Sequence, residues 1–283
     1  LIAVGIDLGR MPAREHRVER MVVQVDETRE DDVPGDQGAR ARDRGPGIRD
    51  GGDLAALDLL GQILGTDDIG RDVLSRCIYG AQLSVIIGCS AAALATVISA
   101  VIGIVSGYFG GKVDMAVQRF VDAWMSFPDL IVLIVVVSVL GPGMPQIIGT
   151  LGLLLGIGGS RIVRSAVVSV REHMYVHAAQ SIGASWPRIL WKHVLPNVMG
   201  PVLVLATIDI GQAILIEATL SFLGVGVPPT QPSLGTLIRV GNDFLFSGEW
   251  WITIFPGMVL VMIALSVNLL GDWLRDALNP RLQ

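Results

Sequence analysis

From Cys77 to Gly111 the chain carries no charged residue. Ala81 to Ser106 alone exceeds the roughly 20 apolar residues that a helix needs to cross a ~30 Å hydrocarbon core. Composition agrees: 51% of the residues are hydrophobic and 17% are charged, where a soluble domain carries about 25% charge. With a mean hydropathy of +0.59, the chain reads as a polytopic membrane protein. The net charge of −5 misleads, because residues 1–60 hold 13 of the 26 acids and 9 of the 21 bases. The remainder is nearly neutral, and nothing in the charge points to nucleic acid.

Four further apolar stretches follow the first span. One runs from about Val117 or Trp124 to Leu140, with Pro128 near its start and a Gly141–Pro142–Gly143 turn at its end. A third span covers about Ile147 to Val168, a fourth about Asn197 to Phe222 and a fifth Ile252 to Leu270. The fold class is therefore all-α, a polytopic transmembrane helical bundle with five visible spans. Small residues recur along the first span (Ser84, Gly88, Ala91, Ala95, Ser99, Gly103, Gly107). They predict close helix–helix contact, with that helix surrounded by protein rather than lipid. Cys77 and Cys89 lie too far apart along one helix for a disulfide, and apolar packing is the expected role of Cys89.

Residues 1–60 are atypical: polar, without sustained helical or strand periodicity, and too poor in apolar surface to order themselves. This segment is expected not to be a functional domain, and to be disordered or non-native. At 64–79, Thr66 followed by Asp67 and Asp68 predicts the N-cap of an interfacial helix, with carboxylates on its positive end. The bundle with its loops then fills 80–275, and 276–283 forms a tail on the cytoplasmic side. The loop at 224–250 has one base, Arg239, against Asp243 and Glu249, and falls outside; Trp250 and Trp251 suit the membrane interface.

Between the third and fourth spans lies 172–196, a basic amphipathic loop. Arg161, Arg164, Arg171, Arg188 and Lys192 surround one acid, Glu172, so the loop is held in the cytoplasm. It reads as a short helix, a turn at Gly183 and Ala184, and a second short helix that stops at Pro196. Pro187 lies in that helix's first turn, where its missing N–H costs nothing. Ala178 and Ala179 are small enough for another surface to approach the backbone, and Gly183 permits positive φ.

These residues resemble the coupling loop of ABC importer permeases. That family's pattern of Glu-Ala-Ala, a glycine and a closing Leu-Pro is matched here by Ala178, Ala179, Gly183, Leu195 and Pro196, with His177 in place of the usual Glu. The segments GTDDIGRDVLSRCIYGA (65–81), GYFGGKVD (107–114), EATLSFLGVGVPP (217–229) and NLLGDWLRDALNPRL (268–282) resemble the dipeptide/oligopeptide/nickel subfamily, and the likeness covers about three quarters of the chain. The resemblance implies six spans with both ends inside, so this chain is expected to be one span short. It also implies a bacterial or archaeal plasma membrane and a second homologous permease. Two ATP-binding subunits and an extracytoplasmic substrate-binding protein complete the implied assembly. ATP is used by partners, and no cofactor or metal is expected on this chain: Gly110–Gly111–Lys112 lacks the rest of a phosphate loop, and no protease or hydrolase motif is present.

Polar groups inside the spans mark a candidate translocation path: Asp209, Gln212 and Glu217 in the fourth, Asn268 in the fifth. Asp209 and Gln212 share a helix face. Hydrogen bonding to a neighbouring helix or subunit is the alternative role for the two acids. Two other functions remain open from the residues. A secondary transporter would show inverted repeats and mid-membrane carboxylates; a transport-inactive scaffold would follow from a missing span.

Overall fold

A computed structural model describes residues 64–228 and 230–277. The reading of 1–60 as atypical lies outside these residues, as do residues 278–283 of the tail read at 276–283. Helices account for the described chain: α1 (Val73–Phe109), α2 (Gly111–Trp124), α3 (Asp129–Leu140), α4 (Met144–Arg171), α5 (Met174–Ser181), α6 (Trp186–Ile189), α7 (Leu195–Phe222), α8 (Leu234–Phe244) and α9 (Trp251–Ala277). Four stretches are long and apolar enough to cross a membrane: α1, α4, the continuous run Trp186–Phe222, and α9. The fifth expected span is a bent pair. α2 and α3 meet at 76°, and α3 has only 12 residues, about 18 Å at helical rise. Pro128 is the reason: it disfavours helical backbone at Phe127 and sits in extended conformation as the N-cap of α3.

The expected interfacial helix at 64–79 is not a separate element. Residues 64–72 form a turn closed by a bridge between Thr66 and Asp72. Helix α1 begins only at Val73, where Asp72 accepts hydrogen bonds from the amides of Leu74 (3.0 Å) and Ser75 (2.8 Å). Thr66 lies in that turn, ahead of the helix. Asp67 holds the turn together, accepting from the amides of Ile69 (3.0 Å) and Arg71 (2.8 Å), from Arg71 Nε (2.8 Å), and from the Arg76 guanidinium. Burial opposes the Asp67 charge, but these donors outweigh it and hold the carboxyl below its usual value. The turn is tied to the start of α9 by Trp251 Nε1, which donates to the Thr66 carbonyl at 3.1 Å. Asp72→Ala removes the cap of α1, and thermal denaturation of the purified chain should show a loss of about 1 kcal/mol.

Helix α1 packs along α4 through its stripe of small residues. Ser84, Gly88, Ala91, Ala95, Ser99, Gly103 and Gly107 are all buried. A Cβ on Gly103 would fall 2.6 Å from Val163 Cβ, and one on Gly156 2.8 Å from the Ala95 carbonyl oxygen. The helix is nevertheless not surrounded by its own chain. Its other face, with Val97 61% and Val101 58% exposed, points out of the chain. The cysteines follow the same division: Cys77 is buried beside Val73 and Leu237, while Cys89 is exposed. Two apolar clusters fill the bundle. One joins α1, α3, α4 and α7 through Ile87, Leu133, Leu151 and Leu220. The other joins α4, the loop and α7 through Val167, Val176, Ile189 and Val198. The segment at 224–250, expected as a loop, contains α8. Its start is marked by a capping box between Ser233 and Thr236.

Candidate functional site

The loop between α4 and Phe222 folds as an elbow. Its first arm, α5, ends in a reverse turn in which the Gly183 amide donates to the Gln180 carbonyl (3.0 Å) and the Ala184 amide to the Ala179 carbonyl (3.1 Å). This pattern requires a left-handed residue at its corner, and Gly183 supplies it with φ +80°. The inner face of the elbow is apolar and covered. Val176 (0% exposed), Ala179 (6%), Ile189 (1%) and Val194 (0%) pack into the cluster with Val163, Val167 and Val198. The outer face is apolar and open: Met174 is 87% exposed and Ile182 85%, with exposed Ala178 between them at helical spacing.

The two alanines therefore part company. Ala178 faces outward, whereas Ala179 allows close approach of the chain's own helices. His177 is exposed. Tyr175 lies against His173 and His193, with ring centroids 5.5 and 6.2 Å apart.

Leu195 and Pro196 do not end the second arm. α6 passes through a π-helical turn, Leu190–Val194, directly into α7, and Trp186–Phe222 is one run of 37 residues. Pro196 offers no N–H, and its ring would strike a carbonyl one turn earlier in a regular helix. The wider turn, in which the Leu195 amide donates to the Leu190 carbonyl, absorbs that conflict.

Three of the five bases near the elbow are used within the chain. Arg164 forks onto Asp114, which also accepts from Ser106 Oγ at 2.5 Å. Arg161 pairs with Asp122. Arg171 reaches the Gly107 and Tyr108 carbonyls, both at 3.3 Å, and pairs with Glu172 at 3.0 Å. These bonds lock α2 and the end of α1 onto α4. Arg188 and Lys192 remain exposed.

The four polar residues read as a translocation path fall into three places. Asp209 and Gln212 line one cavity of about 460 Å³, together with Trp124 and Asp129 at the α2–α3 bend. Asn268 borders a different, small recess with Thr207 and Arg275. Glu217 reaches neither. It is fully buried and accepts from Ser84 Oγ (2.9 Å) and Ser221 Oγ (2.7 Å), joining α7 to α1. Sequence reasoning gave no site role to Trp124, Asp129 or Ser84. The Pro128–Asp129 helix start could have flagged Asp129, and the small-residue stripe could have flagged Ser84 as a partner for a neighbouring helix.

The family described as "binding-protein-dependent transport system inner membrane component" matches residues 99–283. The chain belongs to that family. This permease is 42% identical over 224 residues to a Brucella suis biovar 1 protein described as a putative peptide transport system permease, across 79% of this chain and 75% of the relative. It is 39% identical over 221 residues to the dipeptide transport system permease protein DppC of Haemophilus influenzae, across 78% and 75%. The DppC of Bacillus subtilis is 38% identical over 219 residues, across 77% and 68%. Among solved structures, a chain of the inward-facing MetNI methionine ABC transporter shares the fold, with a TM-score of 0.60 at 18% identity, covering 72% of this permease and 96% of that chain. The permease is thus an ABC transporter membrane subunit of the dipeptide/oligopeptide/nickel class.

Proposed function

We propose that this permease is the membrane-spanning subunit of an ATP-driven importer for di- and oligopeptides, resident in a bacterial or archaeal plasma membrane. It works beside a second homologous permease, above two ATP-binding subunits and below an extracytoplasmic substrate-binding protein. ATP is hydrolysed on the partner subunits. The observation that carries this reading is the elbow: an apolar stripe of Met174, Ala178 and Ile182 open on the basic side of the membrane, backed by a packed inner face. An exposed apolar patch with a rigid backing is the form of a protein-docking surface. The peptide substrate is supported by the names of the relatives in Haemophilus influenzae and Bacillus subtilis.

In this mechanism the stripe sits in a groove of an ATP-binding subunit. Closure of the ATPase pair moves the elbow, and the helices rock as rigid bodies between inward- and outward-facing states. Ala178 and Gly183 give the docking surface its shape, and His177 occupies the contact where the family carries Glu. Asp209 and Gln212 face the path; Glu217 joins α7 to α1. Co-purification from membranes with the candidate ATP-binding subunit tests this reading. The unmodified permease should recover it in roughly stoichiometric amount, and failure to recruit any ATP-binding subunit would overturn the assignment.

A further inference from the structure

Among the described residues, the acids around the α2–α3 bend and inside α7 have an answer on this chain, with one exception. Asp114 meets Arg164, Asp122 meets Arg161, and Glu217 accepts from two hydroxyls. Asp129 lies in the first turn of α3, where a carboxylate matches the positive end of the helix. Asp209 stands apart: it is 3% exposed, and its Oδ2 is buried without a hydrogen-bond partner. A carboxylate in this position is costly unless something outside the chain matches it.

That carboxylate borders the 460 Å³ cavity at the α2–α3 bend, where Trp124 and Gln212 also line the wall. Leu154, Leu205 and Ile208 supply apolar wall. The nearby cation Arg161 is committed to Asp122. Broken helices at membrane depth commonly frame substrate sites of this kind.

We propose that this cavity binds an organic cation: an ammonium group at Asp209 and the Trp124 ring, with an apolar body against Leu154, Leu205 and Ile208. The indole face attracts a cation, and the Gln212 amide can accept a hydrogen bond from an ammonium. A bare metal ion fits less well, because no group of three or more His, Cys, Asp or Glu among the described residues is arranged to hold one. The proposal rests on the permease reading, and makes Asp209 a residue that selects substrates bearing a positive charge in the membrane, after the binding protein has released them.

Equilibrium binding of radiolabelled 2-phenylethylammonium to the full-length permease in lipid nanodiscs tests the site. Binding should be saturable, and unlabelled 2-phenylethanol, the same size without the charge, should compete about tenfold less well than unlabelled ammonium. Asp209→Asn should weaken binding about tenfold. Asp209→Glu should retain it, and Glu249→Gln, outside the cavity, should leave it unchanged. The comparison of the two competitors on the unmodified chain needs no variant, so a folding defect in Asp209→Asn leaves the question decidable. Absence of saturable binding, equal competition by the alcohol, or unchanged affinity in a folded Asp209→Asn protein would each overturn the proposal. Recovery of the ATP-binding subunit is measured separately, so the cation site can fail while the permease assignment stands.

Discussion

Gly183→Arg should separate the permease from its ATP-binding subunit. Recovery in co-purification, and uptake with it, should fall at least about tenfold, the effect of removing the core of a docking surface. Space is not the cause, since nothing lies within 4 Å of a Cβ at Gly183. The backbone conformation is: φ is +80°, a region that costs an ordinary L-residue about 1–2 kcal/mol. Relieving that strain unpicks the turn held by the Gly183 and Ala184 amides and re-aims Met174 relative to Ile182. The arginine itself also projects from the docking face. Because α5 is peripheral, helicity and monodispersity should stay at wild-type levels. Gly183→Asn, which tolerates the left-handed region, should keep most of the recovery. Wild-type uptake by the arginine variant would remove the elbow from the coupling mechanism.

Gly103→Leu should sharply destabilise the packing of α1 against α4. A Cβ there meets Val163 Cβ at 2.6 Å, the Ser160 carbonyl oxygen at 2.8 Å and the Arg164 amide nitrogen at 2.9 Å. Two of these are backbone atoms, which no rotamer change can move aside, so α1 and α4 must part. Overpacking of this kind costs about 3 kcal/mol, and in a bilayer close packing is a main source of helix association. Thermal unfolding in detergent should show a sharply lowered midpoint and early aggregation. Gly149→Leu provides the contrast on the partner helix α4, since nothing lies within 4 Å of its Cβ position. Equal melting of the two variants would contradict the packing argument.

The spans were legible because an uncharged apolar run of bilayer length cannot be covered by the small remainder of a soluble domain. The elbow was legible because Gly183 and the flanking bases interrupt an otherwise apolar chain. What stayed hidden was orientation within uniformly apolar helices. Nothing in the local pattern of α7 says that Glu217 turns toward Ser84 while Asp209 turns toward an open cavity; both sit among similar neighbours, and only the packing partners differ. Ala178 and Ala179 are identical in type and adjacent, yet one is bare and the other is covered within the cluster of Val163 and Val167. Pro196 reads as a stop because a regular helix cannot easily carry it, but one wide turn upstream gives the ring its room. The cap expected at Thr66 lies instead at Asp72, because the turn over 64–72 delays the start of the helix to Val73.

The π-turn has a mechanical consequence. It joins the elbow's second arm to the span without a break, so Trp186–Phe222 forms one continuous lever of 37 residues, roughly 55 Å along the helix. Near its outer end the lever is pinned to α1 by the Glu217–Ser84 hydrogen bond. If that pin is the fulcrum, Ile189 lies roughly 42 Å from it and Asp209 roughly 12 Å at helical rise. A displacement imposed on the elbow would then arrive at Asp209 reduced to about a third, trading a long stroke at the ATP-binding subunit for a short, forceful one beside the cavity.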